Sequence, residues 1–224
     1  MTDDASVPVR GLIFDLDGVI TDTAELHYLA WKRLADEEGI PFDRRANDAL
    51  RGISRRESLR LVLAGRQVSE EKAQELMDRK NRYYRASLAS LTPRDIFPGA
   101  LQLLDAARHR GLGIALASAS KNARDVIHRL QITDRFDAIA DGNTVTKAKP
   151  APDLFLAAAR MLGDPPAACV VFEDATEGVA AAHAAGMRAV GIGPSERVGK
   201  AELVVNGLDQ LTLDDVLELR RRAA

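Results

Sequence analysis

The sequence predicts an α/β fold, a doubly wound parallel sheet with a block of helices inserted after its first strand. Three observations carry that prediction. Short apolar runs ending in acidic or small polar residues recur at Val9 to Phe14, Gly113 to Ala117, Cys169 to Phe172 and Arg188 to Ile192. They are too short for free-standing helices and read as strands buried on both faces. Helical patterns alternate with the later runs, as βαβ units require. The stretch from Asp22 to Leu91 breaks the alternation, with helical periodicity and no convincing strand.

In chain order, the first strand leads through Asp15-Leu16-Asp17-Gly18 into the insert. There Leu26, Leu29, Ala30 and Leu34 form one apolar stripe, and Ser54 with Glu57 makes a capping-box pattern that opens a helix through Leu63. A third helix runs from Glu70 to Leu91, and the chain returns through Thr92-Pro93-Arg94-Asp95 and Pro98-Gly99. Two neighbouring connections therefore join insert and core, which permits a hinge as readily as rigid packing. The expected division is an α/β core of residues 1–21 and 95–224 and a helical cap of residues 22–94. Core helices follow at Ala100 to Arg110, Ala123 to Leu130, Pro152 to Leu162 and Glu177 to Ala185. Gly111, Gly163 and Gly186 supply the usual stops after three of them. Leu213 to Arg222 reads as a last helix whose arginines form a solvated final turn.

Composition narrows the function. The 224 residues hold 31 Lys+Arg against 33 Asp+Glu, a formal charge of −2, which disfavours nucleic-acid binding driven by bulk charge. Cys169 is the single cysteine, so no internal disulfide or multi-thiolate metal site can form, and a reducing compartment fits best. Uncharged stretches such as Gly111 to Ser120 run about ten residues, short of the ~20 of a membrane span. The opening Asp3 and Asp4 do not resemble a signal peptide. A cytoplasmic monomer with small-molecule partners, and neither nucleic acid nor membrane, is the expectation.

The chemistry concentrates at strand ends, where α/β folds place their ligands. Leu12-Ile13-Phe14-Asp15-Leu16-Asp17-Gly18 delivers two carboxylates into a glycine turn. An aspartate can accept a phosphoryl group, but both partners are anions, so a divalent cation must neutralise the approach, and hard oxygen ligands suit Mg²⁺. The second aspartate can serve as acid and base only with help, since an unperturbed Asp is about 0.1% protonated at pH 7. By itself this pattern also fits a turn that caps a helix. Ser118 to Asn122 ends a strand with hydroxyls and amides that suit a phosphate or an N-cap. Lys149, before a helix, is either a phosphoryl-holding cation or a solvated loop lysine. Glu173 and Asp174 end another strand with adjacent acids, costly to bury unless a cation, hydrogen bonds or water satisfy them.

In that order, D-x-D, Ser, Lys-Pro and Glu-Asp resemble the haloacid dehalogenase superfamily of aspartyl-phosphate phosphotransferases. The chain is similar in particular to its β-phosphoglucomutase branch, through Asp15 to Glu25, His27, Ala30-Trp31, Gly52-Ile53-Ser54-Arg55 and Ala117 to Asn122. The resemblance spans roughly residues 10 to 195 and implies a Rossmann-like core with a helical cap after strand one. It implies Asp15 as the phosphorylated nucleophile, Asp17 as general acid/base, and Mg²⁺ held by Asp15, the Asp17 carbonyl, Glu173 and Asp174. Ser118 and Lys149 would bind the transferring phosphoryl group. His27 would help position Asp17, Trp31 would line the sugar pocket, and Arg55 would grip the distal phosphate. Gly52, Ser58, Lys80, Ser120 and Asn122 would complete the substrate contacts. Arg51 departs from the family, which usually has lysine there; charge is kept and shape is not. The implied reaction interconverts β-glucose 1-phosphate and glucose 6-phosphate through an aspartyl-phosphate and β-glucose 1,6-bisphosphate. A sugar-phosphate phosphatase on the same scaffold is the first rival, and a non-catalytic sugar-phosphate-binding module the second.

Overall fold

Every strand of the sheet is short, and its position in the sheet decides how apolar it has to be. The computed structural model describes residues 7–219. In chain order the elements are β1 (Gly11–Phe14), α1 (Ala24–Glu37), α2 (Arg44–Asp48), α3 (Arg55–Val62), α4 (Glu70–Ser87), α5 (Ala100–His109), β2 (Gly113–Ala117), α6 (Ala123–Arg129), β3 (Ala138–Ala140), α7 (Asp153–Leu162), β4 (Cys169–Glu173), α8 (Thr176–Ala184), β5 (Arg188–Ile192), α9 (Ser195–Val198), β6 (Leu203–Val205) and α10 (Leu213–Leu217). The strands form one parallel sheet in the order β3-β2-β1-β4-β5-β6. Strand order reverses at β1, so a crevice opens at the carboxyl ends of β1 and β4.

Strand alternation sorts the core into two layers. Leu12, Phe14, Ile114, Leu116, Val170 and Phe172 face α5 and α6, while Ile13, Ala115, Ala117 and Val171 face α7 and α8. Phe14 stacks on Phe172 with ring centroids 4.3 Å apart. Phe14 pairs in register with Leu116 and with Phe172, so the next residues along these strands, Asp15, Ala117 and Glu173, lie at one level. The insert has its own core of Trp31, Leu34, Leu59, Val62, Leu76 and Met77. Ala30, Tyr84 and Leu88 instead join the α5/α6 layer, so both ends of the insert are anchored on the sheet's side. No helix of the described residues is long and apolar enough to cross a membrane.

Several local expectations change. Leu29 is 50% exposed, and α1 instead buries Ala30, Trp31, Leu34 and Ala35, because Trp31 pulls the buried face round by one position. Ser54 accepts from the Glu57 amide at 3.2 Å, but Glu57 turns its carboxylate to Arg60, so only half of the box forms. The short edge strands β3 and β6 and the polar helix α2 were not expected from the sequence. The last helix ends at Leu217. Its arginines at 220–222, like Asp3 and Asp4, lie outside the described residues.

Candidate active site

The turn after β1 fixes the first carboxylate. Asp15 is 5% exposed and accepts from the Asp17 amide at 2.9 Å and from Lys149 Nζ at 2.6 Å. Lys149 also donates to Glu173, whose other oxygen accepts from the Ala175 amide at 2.8 Å. Burial works against the Lys149 charge, but Asp15 and Glu173 overcome it and hold its pKa above the usual lysine value. Burial, with Glu173 and Asp17 nearby, pushes Asp15 well above the usual carboxylate range against the pull of Lys149. Gly18 has φ +92° and faces Asp174 so closely that a Cβ would sit 2.4 Å from its Oδ2. No other residue fits that turn and that approach together.

Asp17 turns toward the insert. The Thr23 hydroxyl donates to its Oδ1, and Ser118 also hydrogen-bonds it. Burial lifts Asp17 to about 6, with Lys149 and Lys80 opposing the rise. That value suits a group that must both give and take a proton. Behind it, Lys80 Nζ lies 2.7 Å from His27 Nδ1, and the His27 ring stacks on Tyr84 at 3.9 Å. Burial, then Lys80 and Arg55, pushes His27 well below its ordinary pKa. His27 is therefore neutral, with Nδ1 accepting from Lys80. Lys80 lies 5.0 Å from the centre of the Trp31 ring and is itself depressed by burial and by Arg55.

A cavity of about 650 Å³ separates the sheet end from the insert. It brings together Asp15, Asp17, Lys149 and Asp174 on the core side and His27, Trp31, Arg51, Gly52, Arg55, Ser58 and Lys80 on the insert side, with Ser120 at the edge. Ser118, Asn122 and Glu173 stand behind its wall. Asn122 donates to Asn81 Oδ1 at 2.9 Å, and Arg55 donates to the same oxygen at 2.8 Å, so an asparagine pair ties α6 to α4 beside the arginine. Gly52, at φ +72°, brings the insert loop against Ala175, where a Cβ would lie 3.1 Å from the alanine Cβ. A separate groove of about 700 Å³ between α4 and α6, lined by Arg82, Arg85 and Arg129, contains none of these residues.

Two of the expected residues have partners that the sequence does not show. Glu173, expected among the metal ligands, accepts from Lys149 with one carboxylate oxygen and from the Ala175 amide with the other. Arg51, expected against substrate, places Nη1 2.9 Å from Asp174 Oδ2. Four further residues belong to the site and were missed: Thr23, Asn81, Lys121 on the cavity wall, and Arg197, which donates to the Asp174 carbonyl. Lys121 lies inside the Ser118 to Asn122 run and could have been read from it. Thr23 likewise lies inside the Asp15 to Glu25 run, and Asn81 and Arg197 carry no local pattern.

Among the described residues no three acidic, histidine or cysteine side chains converge into a metal centre of their own. The donors nonetheless fit a hard divalent cation: the Asp15 and Asp174 carboxylates and the Asp17 carbonyl are all oxygen, and Mg²⁺ commonly takes one or two carboxylates and leaves its other positions to water and phosphate. Burial and then Glu173 push Asp174 up to about 7, with Arg51 and Arg197 opposing. Such a carboxylate gains from a cation beside it.

The chain is similar to known proteins over most of its length. The haloacid dehalogenase-like hydrolase family matches residues 9–186. A β-phosphoglucomutase of Bacillus subtilis is 48% identical over 210 residues, covering 92% of this chain and 93% of its own. The crystal structure of a β-phosphoglucomutase from Clostridium difficile superposes with a TM-score of 0.91 at 42% identity, over 94% of this chain and 96% of that one. A fructose-1-phosphate phosphatase of Escherichia coli is 33% identical, over 81% of this chain and 95% of its own.

Proposed function

Because the chain belongs to the haloacid dehalogenase-like hydrolase family, whose scaffold serves mutases and phosphatases alike, we propose that it works as a β-phosphoglucomutase. It interconverts β-glucose 1-phosphate and glucose 6-phosphate through β-glucose 1,6-bisphosphate. The observation that carries this reading is a cavity whose lining holds cations beyond the one at Asp15. Asp15 and Lys149 line its core side, and Arg55 and Lys121 are further cations on the same lining. A bisphosphate offers such a cavity a second phosphate to hold. A phosphatase needs only Asp15 and Lys149.

Asp15 takes the phosphoryl group, forming an acyl phosphate as the bond to the sugar oxygen breaks, and Asp17 gives that oxygen a proton. In the reverse direction Asp17 removes the proton from the sugar hydroxyl that attacks the aspartyl-phosphate. Thr23 holds Asp17 through its hydroxyl, and Lys80, itself bonded to His27, acts on Asp17 through its charge. Lys149 and Ser118 hold the transferring group, and Glu173 holds Lys149. Asp15, Asp174 and the Asp17 carbonyl would hold Mg²⁺, which offsets the repulsion between carboxylate and phosphate. Residues 22–94 act as a cap over the core of residues 1–21 and 95–224, excluding water so that the aspartyl-phosphate meets a sugar hydroxyl first. The buried Cys169 fits a reducing, cytoplasmic setting.

The test is a paired assay with Mg²⁺, β-glucose 1-phosphate and trace glucose 1,6-bisphosphate, following glucose 6-phosphate and free phosphate together. Isomer formation that far outpaces phosphate release, and disappears in Asp15→Asn, supports the mutase. Dominant phosphate release would replace it with a sugar-phosphate phosphatase like the Escherichia coli relative.

A further inference from the structure

Asp174 is held from two sides by guanidinium groups of different origin. Arg197, on α9 of the core, donates to its carbonyl and places Nη2 3.7 Å from its Oδ2. Arg51 belongs to the insert and reaches across the cavity to the same Oδ2 at 2.9 Å. The first partner stays with the sheet whatever the insert does, and the second leaves whenever the insert swings away. The Asp174 side chain is 4% exposed, so its neutralisation has to come from a group beside it.

Arg51 also has unused capacity. Its Nε is buried without a hydrogen-bond partner among the described residues, with Asp48 Oδ1 3.9 Å away, and the residue lines the cavity. A guanidinium carries five donor hydrogens in a rigid fork and can turn from one acid to another without losing its charge. Gly52, seated against Ala175, keeps the Arg51 loop next to the end of β4.

We propose that Arg51 is a positioning residue that links closure of the insert to cation binding, because Arg51 and a divalent cation draw on the same Asp174 carboxylate. When the cation takes Asp174, the guanidinium is released toward the phosphate of the bound sugar. The closed enzyme then keeps a cation, Arg51 and a phosphate together only when all three are present. Bound sugar phosphate therefore tightens cation binding by giving Arg51 another anion. This rests on the reading of Asp174 as a cation ligand made under the proposed function.

The experiment is a calorimetric titration of the whole chain with Mg²⁺, with and without glucose 6-phosphate, for the wild type, Arg51→Ala, Arg51→Gln and Arg51→Lys. Without sugar phosphate, the alanine and glutamine variants should bind Mg²⁺ at least about fivefold tighter than the wild type, the lower end of usual coupling between linked sites. The lysine variant, which keeps the charge, should stay near the wild type. Glucose 6-phosphate should narrow the gap. Wild-type and charge-removed proteins that bind Mg²⁺ equally would overturn the linkage while leaving the cation site standing. No Mg²⁺ binding by any of the four would remove the cation reading of Asp174 and the linkage with it. The glutamine variant keeps the test decisive should the alanine variant melt early.

Discussion

The two walls of the cavity are built on opposite plans. On the core side, Asp15 follows β1 directly, Glu173 ends β4 behind the wall, and Asp174 comes one residue later; backbone amides and Lys149 close in Asp15 and Glu173, and two arginines meet Asp174. On the insert wall, Arg51, Arg55 and Lys80 reach inward on long side chains from loops and helices, and their partners, Asp174, Asn81 and His27, are side chains. The difference separates reaction from recognition. Fixed acids suit bond breaking, which tolerates little displacement. Long cations on a separate helical layer suit a substrate that must turn end for end. Losses on the core wall should therefore stop all phosphoryl transfer, and losses on the insert wall should redirect it.

The largest effect belongs to Asp15→Asn. It should lower both isomer formation and phosphate release by at least about 10⁴-fold, in line with removal of a covalent nucleophile. Retained phosphate release, measured as free phosphate, would mean that water attacks without the aspartyl enzyme and would break the division. Asp17 comes next. With its pKa near 6, the proton needed for sugar release is lost above about pH 6, so enzyme phosphorylation slows as pH rises. Transfer from the aspartyl enzyme to a sugar hydroxyl needs the deprotonated form and slows as pH falls below about 6. Rapid-quench measurement of the two half-reactions should show opposite slopes. Asp17→Asn should flatten both and cost about 10²–10⁴-fold. Parallel slopes would take Asp17 out of both roles.

Arg55→Ala probes the opposite wall. A charge-assisted hydrogen bond to the distal phosphate is worth about 1.5–3 kcal/mol, or about 10- to 150-fold. That loss should fall on the mutase step and leave basal phosphate release nearly unchanged. Equal losses in both outputs would show that Arg55 merely supports the fold through Asn81.

The same contrast decides what the sequence made legible. β1, β2, β4 and β5 announce themselves because inner strands of a parallel sheet are apolar on both faces, and their ends carry Asp15, Ser118, Glu173 and Asp174 in plain order. β3 and β6 escape notice because each is a three-residue edge strand, too short to show a period. α2 has the composition Arg-Arg-Ala-Asn-Asp and buries nothing; the Asp43 side chain caps it at the Ala46 amide, 2.8 Å away. The resemblance reached the insert residues, but contacts such as Arg51 to Asp174, 123 positions apart, exist only after folding. Asn81 and Arg197 were hidden for the same reason, whereas Thr23 lies close to Asp17 inside the Asp15 to Glu25 run. Their roles come from what they touch.

The smallest effect tests the insert as a body with its own core. Leu29 and Leu34 sit on one helix, both leucine, and the sequence placed them on one stripe. Leu34 is 1% exposed within the cluster of Trp31, Leu59 and Leu76, whereas Leu29 is 50% exposed. Truncating a buried leucine removes its transfer energy and leaves a cavity, so Leu34→Ala should cost about 2–5 kcal/mol in denaturant unfolding. Leu29→Ala removes a side chain already half in water and should change stability by no more than about 0.5 kcal/mol. A Leu29 loss approaching that of Leu34 would mean that the outer face of α1 is covered in solution. The insert would then have a second partner besides the core it closes on.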